Sequence, residues 1–396
     1  MRILISTWSL QVGGGEVLAM NLAAELVSRG HEVVLFNQRA ELIDDALVQR
    51  LLPAQVKVLS MADNPLGSYW AYKVNALQGA LGKAATFYEQ RQQAYLGACL
   101  RRYRIELVSS HATYSDRICA PVVHGLGIPL VITEHGEYSR FIQEGRRDFV
   151  DTLRASSRIL TVSKYNQQII QQTFTDLPCV QTVYNGVRTD SKHTAAGMRQ
   201  RLSLPPDAFV FGMVARGIKE KGWEQAIQAF QQFCGFVSQR PAYLVFIGGS
   251  DYLQHLQDTY ATDTNIVFVG QVPDPDFYIA GFDVGLLPTH FQAEALPLAI
   301  IEYMISGKPA IATRIGGIAE LLEPISGSAG QLIELNSVTH TSDVKMLAHA
   351  MRRYYAEPDL YNRHAHNAQQ ASRQFTMQTC AAQYEQAFQQ VLAIQA

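Results

Sequence analysis

Between Phe282 and Leu322 the chain reads FDVGLLPTHFQAEALPLAIIEYMISGKPAIATRIGGIAELL. Few folds accommodate this stretch. Val284 to Pro288 is an apolar run closed by a proline, the pattern of a strand covered on both faces. Pro297 is pre-set for a first helical position, where its missing N–H is no loss. A helix is therefore predicted from Leu298 to about Ser306, with Leu298, Ile301 and Ile305 on its buried face. Gly307 ends it, Pro309 prevents its resumption, and Ala310 to Thr313 is the next strand. Strand, loop, helix and strand in this order make one turn of a wound parallel sheet. The loop carries Glu294 and the helix Glu302, with seven residues between them.

The same alternation fills the rest of the 396 residues. Predicted strands are Arg2–Ser6, His31–Phe36, Ile105–Ser109, Leu130–Thr133 and Arg158–Val162. After residues 187–194, whose weak apolar pattern suggests a linker, the series restarts with Phe209–Val214, Tyr243–Ile247 and Ile266–Phe268. Two α/β domains are expected, residues 1–186 and 195–376, with a last helix over 377–394. A hydrophobic content of 47% supports two full cores.

The free N–H groups at the start of the Leu298 helix form a ready anion site. Paired carboxylates accept hydrogen bonds from vicinal hydroxyls, so Glu294 and Glu302 suit a sugar and a ribose. In this setting E-x7-E, followed by G-K-P and G-G-I-A-E, resembles the retaining glycosyltransferases of family four. Arg216 and Lys221 in VARGIKEKGW resemble that family's R…KG pair. Asn185-Gly186-Val187, Gly13-Gly14-Gly15-Glu16 and His135 in TEHG match further elements, so the resemblance spans nearly the whole chain.

The resemblance implies the GT-B fold, two Rossmann-like doubly wound parallel-sheet domains facing across a cleft. The first would bind the acceptor, and the last helix would cross back to it. The second would bind a nucleotide diphosphate sugar. Arg216 and Lys221 would neutralise the leaving diphosphate, Glu294 would hold the donor sugar, and Glu302 the ribose. His135 would position the sugar rather than abstract a proton. With no enzymatic nucleophile evident near Glu294, a front-face displacement is expected. Replacing Glu294 or Lys221 by alanine should then stop transfer and leave the fold intact.

Other residues carry two readings. Gly13, Gly14 and Gly15 either bring bare backbone close to a phosphate or acceptor, or simply make a turn. The spacing is not G-x-G-x-x-G, and the second strand ends without an acid for a dinucleotide ribose. Gly248-Gly249-Ser250 and Gly270-Gln271-Val272 end strands, so the main chain at Gly248 and Val272 either lines the base pocket or forms tight turns. Gly316-Gly317 faces the same choice. Family members often carry E-G-F-G where this chain has Glu294-Ala295-Leu296-Pro297. Ala295, Leu296, Pro297 and Leu298 would form the sugar-phosphate cradle, from which Pro297 removes one backbone donor. His111 either lines the cleft or is structural.

Asp274-Pro275-Asp276 matches D-x-D, but helix N-capping is the simpler account, and no metal or other cofactor is assigned. Tyr69, Trp70 and Tyr72, then Phe87, Tyr88 and Tyr95, precede Arg101-Arg102-Tyr103-Arg104. They would serve a membrane or lipid-linked acceptor, or form a buried helix with arginines in its last turn. The second account is favoured, because the basic run is short and leads directly into a strand.

With a net charge of −2 nothing argues for a nucleic-acid partner, and none is expected. Five scattered cysteines fit a reducing compartment. A cytoplasmic protein is expected, peripheral contact with the inner membrane face staying open. Its partners would be a UDP, GDP or ADP sugar and a glycan or lipid-linked acceptor. Surface polysaccharide or glycolipid synthesis is expected on the resemblance alone. Alternatives are a GT-B sugar-nucleotide 2-epimerase and a catalytically idle sugar-nucleotide-binding partner subunit.

Overall fold

The structure, a computed structural model, describes residues 1–395 apart from Ala40, Asn64, residues 190–192 and Ser238. Two compact units form, Met1–Gly186 with Met377–Ala396, and Val187–Thr376. Residues 190–192 of the expected linker lie outside the described residues. Val187 itself belongs to the second unit, where its N–H donates to the Phe375 carbonyl at 2.9 Å and it bridges to Thr376.

The first unit holds seven strands among the described residues: β1 (Arg2–Thr7), β2 (Glu32–Asn37), β3 (Lys57–Ser60), β4 (Leu107–Ser110), β5 (Leu130–Glu134), β6 (Arg158–Thr161) and β7 (Val180–Thr182). They pair in parallel in the order β3-β2-β1-β4-β5-β6-β7. The second unit holds six among the described residues: β8 (Phe209–Val214), β9 (Ala242–Ile247), β10 (Ile266–Gly270), β11 (Val284–Leu287), β12 (Ala310–Thr313) and β13 (Gly330–Ile333). Their order is β10-β9-β8-β11-β12-β13, again parallel. Both sheets are doubly wound, which explains the near-continuous apolar strands: helices cover both faces. In each sheet the order reverses once, between β1 and β4 and between β8 and β11. Ligands bind beyond the strand ends at such reversals, where diverging loops leave backbone and side chains open.

β3, β7 and β13 are missing from the expected strands. All three are sheet edges of three or four residues, too short to show a period.

The helix after β11 spans Leu298–Ile305. Its buried positions are Ile300, Ile301, Tyr303 and Met304, while Leu298 and Ile305 are only half-buried. The expected face of 298, 301 and 305 was therefore misplaced. With seven of its eight residues apolar or aromatic, periodicity had nothing to select between.

The last helix, Met377–Gln395, packs in the first unit. Cys380, Tyr384, Ala387, Phe388 and Val391 share one core with β1, β2 and the helix Gly14–Ser28. Glu385 binds His31 at 2.8 Å and Arg29 at 3.2 Å.

The aromatic stretch divides. The helix Phe87–Arg102 packs on the unit, buries Tyr88 and ends with Arg101 and Arg102 as expected. The preceding helix, Pro65–Ala80, does not follow the favoured buried reading: Tyr69, Trp70 and Tyr72 are 55%, 64% and 42% exposed. This helix lies on top of Phe87–Arg102 and nothing among the described residues covers its far side. Among the described residues no helix is long and apolar enough to cross a membrane.

Candidate functional site

In the second unit the loops after β8 and β11 stand side by side, because their strands are neighbours at the sheet reversal. One glycine lets them meet, and a second brings the loop after β12 against the Glu294 loop. Gly222 (φ +84°) has no room for a Cβ, which would strike the Pro288 carbonyl oxygen. Gly316 (φ +56°) is in the same position against the Glu294 carbonyl oxygen. Hydrogen bonds tie the loops further: His290 N donates to Glu220 O at 2.8 Å, Thr289 Oγ1 to the same oxygen at 3.2 Å, and Gly317 N to Ala295 O at 2.7 Å. Gly316-Gly317 thus backs the Glu294 loop.

At the centre Lys221 Nζ meets Glu294 Oε2 at 2.6 Å, with side-chain exposures of 9% and 7%. The sequence assigned these two residues separate tasks; the structure makes each the other's partner. Arg216 stands beside them, exposed and without an ion pair among the described residues. Its carbonyl accepts a hydrogen bond from the buried Trp223 indole at 3.1 Å, which fixes the loop while leaving the guanidinium outside. Phe291 joins the two cations. The Arg216 Cζ lies 5.3 Å from its ring centroid and Lys221 Nζ 5.1 Å. The ring's negative face favours both charges. Sequence reasoning missed Phe291, since one aromatic in a loop bears no pattern.

Ala295 and Leu296 are buried beside Glu294, and Pro297 and Leu298 are half-buried at the helix start. Gly248 adjoins the Arg216 loop: a Cβ there would come within 2.5 Å of the Ala215 carbonyl oxygen. Val272 follows β10, the sheet edge, so it stands further from the reversal. Glu302 keeps part of its surface open yet is closely surrounded. Burial, and then the charge of Asp276, push its carboxyl up to about 8.

Asp274 is not the side-chain cap expected. It precedes the helix Pro275–Ile279, but its carboxylate makes no capping bond and instead meets His193 Nε2 at 2.8 Å. Pro275 brings no N–H to the first helical position. Among the described residues no three His, Cys, Asp or Glu side chains gather as metal ligands.

In the first unit the loop after β1, and the turns after β4 and β5, carry the remaining predicted residues. His111 Nδ1 lies 3.3 Å from His135 Nε2, and Ser109 Oγ lies 3.1 Å from His111 Nε2. Burial lowers the His135 pKa to about 4 and puts His111 well below the ordinary value, so both rings are neutral near pH 7. Glu134 holds the turn by accepting from Tyr138 N at 3.1 Å and Ser139 N at 2.9 Å. Tyr384 of the last helix stacks on His111, with ring centroids 6.0 Å apart. A Cβ on Gly15 would meet the His135 ring at 3.5 Å, so the glycine loop and the histidines form one locality. Gly14 and Gly15 open the helix Gly14–Ser28, but Glu16 folds back over Gly13 and holds Ser9 Oγ at 3.1 Å. A carboxylate there repels phosphate and favours a hydroxyl-bearing ligand.

"Glycosyl transferases group 1" matches residues 196–371 and "Glycosyltransferase Family 4" residues 12–191. Only residues 1–11, 192–195 and 372–396 stay unmatched. The chain belongs to the group 1 glycosyltransferases of family-four type.

N-acetyl-alpha-D-glucosaminyl L-malate synthase of Bacillus anthracis is 22% identical over 346 residues, 84% of this chain and 83% of that protein. UDP-Gal:alpha-D-GlcNAc-diphosphoundecaprenol alpha-1,3-galactosyltransferase of Escherichia coli is 23% identical over 257 residues, 60% of this chain and 65% of that one. Among solved structures, Anabaena HepE in complex with UDP-glucose superposes with a TM-score of 0.76 at 22% identity, covering 98% of this chain and 100% of that one. The fold is GT-B.

Three outcomes are expected. Burial of the ion pair changes the expectation that either partner can be removed without harm to the fold. Lys221→Met or Glu294→Gln alone should cost about 3–5 kcal/mol in urea unfolding, and the double substitution should recover most of it. Phe291→Leu should leave unfolding nearly unchanged yet weaken pyrophosphate binding, measured by calorimetry, about fivefold to tenfold.

The third concerns pH. Glu302 keeps its proton when folded over a range where the unfolded carboxyl has lost it. Its stabilising contribution is therefore complete below about pH 4.5 and declines as pH rises toward about 8. Glu302→Gln should flatten the fall in unfolding free energy across that window, measured by denaturant titration at its two ends.

Proposed function

We propose that the protein transfers a glycosyl group from a nucleoside diphosphate sugar to an acceptor hydroxyl, with retention of anomeric configuration. The Lys221–Glu294 pair beside Arg216 carries this reading. In the free protein each charge satisfies the other. A donor replaces both partners at once: a phosphate oxygen takes Lys221, and sugar hydroxyls take Glu294. The displaced pair loses nothing to an unpaired buried charge, and a ligand lacking either phosphate or hydroxyls leaves one partner unmatched.

Arg216 supplies a forked donor to the diphosphate, Lys221 a point charge, and the N–H groups at Leu298 add their dipole. All three stabilise the charge that grows on the leaving phosphate. Glu302 accepts from, or while protonated donates to, ribose hydroxyls. Main chain at Gly248 and Val272 borders the base.

The acceptor falls to the first unit, where neutral His111 and His135 and the loop at Gly14 and Gly15 offer hydrogen-bonding groups to hydroxyls. Attack on the face the diphosphate leaves, with a phosphate oxygen taking the acceptor proton, requires no enzymatic nucleophile. No metal enters this reading, since Arg216 and Lys221 provide the charge a cation would. The HepE complex with UDP-glucose favours uracil as the base. The lipid-linked substrate in the E. coli relative's name favours an acceptor of surface glycan or glycolipid synthesis, at the cytoplasmic side of a membrane.

A thermal-shift screen against UDP, GDP, ADP and their sugars tests the reading. At a hundred times its dissociation constant the donor should add about 2.7 kcal/mol of stability. Slow release of free sugar from that donor, unaffected by excess EDTA, is the expected companion result. Conversion to a different sugar nucleotide would show an epimerase. Binding without any turnover would show an idle partner, and loss of activity in EDTA would restore a metal to the mechanism.

A further inference from the structure

We propose that the outward face of the helix Pro65–Ala80 docks on an anionic lipid bilayer surface. One side of this helix is fastened to the unit. Ala71 is fully buried, Asn75 Oδ1 accepts from Tyr88 N at 2.9 Å, Gln78 Oε1 accepts from Phe87 N at 3.3 Å, and Tyr72 stacks on Tyr88 at 4.4 Å. At about 100° per residue these four positions occupy one third of the circumference. The opposite third presents Tyr69, Trp70, Lys73 and Leu77, continued by Leu81. Tyr69 and Trp70 are 55% and 64% exposed, Leu77 and Leu81 60% and 64%. The anchoring hydrogen bonds fix the helix rotation, so this exposure is imposed by the fold.

Charge selects the occupant. From Pro65 to Tyr88 the only charged residues are Lys73 and Lys83. Tyrosine and tryptophan settle at the headgroup level of a bilayer, and leucines reach the acyl boundary. Lysines lay their stems along apolar surface and raise their charges into the phosphates. Lys73 already lies 5.3 Å from the Tyr69 ring centroid, its stem along the helix. A second copy of this chain is a poor match for a symmetric contact, since Lys73 and Lys83 would meet lysines with no acid in the segment to answer them. A convex helix face also fits a plane better than it fits a single acyl chain. The aromatic stretch, read from the sequence as buried, thus returns as a surface feature.

The experiment is sedimentation of the full chain with vesicles of phosphatidylcholine alone and of phosphatidylcholine with phosphatidylglycerol. Binding is expected to the anionic vesicles only and to weaken with salt. Lys73→Gln with Lys83→Gln should lower the partition coefficient roughly thirtyfold, about a factor of five for each lysine. Trp70→Ser with Leu77→Ser should abolish binding. These side chains are exposed, so circular dichroism and unfolding midpoints should stay at wild-type values. Equal binding to both vesicles, binding untouched by either pair, or no binding at all overturns the proposal. So does a concentration-dependent dimer in sedimentation velocity that the same substitutions dissolve. No donor or acceptor enters the assay, so its failure is separate from failure of the transferase reading.

Discussion

A lysine and a glutamate, both almost removed from water, face each other at 2.6 Å where the order of the second sheet reverses. Isolating either charge there would be costly, and the surrounding architecture keeps them together. β8 and β11 are neighbours, so the loops leaving them run side by side. Gly222 gives up a side chain to let those loops approach, and Gly316 does the same for the loop after β12 against the Glu294 loop. Thr289 and His290 stitch the β11 loop to the β8 loop with hydrogen bonds, and Gly317 ties the β12 loop to Ala295. In the proposed transfer a ligand with one anionic and one hydroxylated end replaces both partners together.

The two units divide the chemistry by charge. The second unit concentrates cations around Phe291, and its helix start at Leu298 has no side-chain cap. The first offers two imidazoles that burial holds neutral, and it shields its own helix start with Glu16. The proposed transfer assigns a diphosphate to the former. It assigns the acceptor hydroxyls, which need hydrogen bonds without charge, to the latter. The last helix contributes to this division, since Tyr384 stacks on His111 from a point 273 positions further along the chain.

Much of the scaffold was legible in the sequence. Central strands such as Phe209–Val214 and Ala310–Thr313 stood out, since strands covered on both faces must be apolar throughout. β3, β7 and β13 did not, since edge strands of three or four residues carry no period. The buried face of Leu298–Ile305 could not be read from a segment apolar nearly all round. The helix Pro65–Ala80 was misread in the other direction. Its aromatics suggested a core, while the hydrogen bonds that hold its opposite side outermost lie in the following helix. Asp274 stood where a cap belongs but turned toward His193, 81 positions away.

The sequence by itself determined the alternation of strands and helices, the glycines and prolines that punctuate it, and the identity of residues such as Glu294, Glu302, Arg216 and Lys221. These follow from local sterics and periodicity, which act over a few residues. Only the tertiary structure decided that Lys221 and Glu294 are partners, that Phe291 faces both cations, that His111 and His135 share a hydrogen bond, and that Tyr69 and Trp70 face outward. Each of those relations depends on which strands become neighbours and on which side a helix is fastened. Parallel pairing sets this across dozens of residues, beyond the reach of any local pattern.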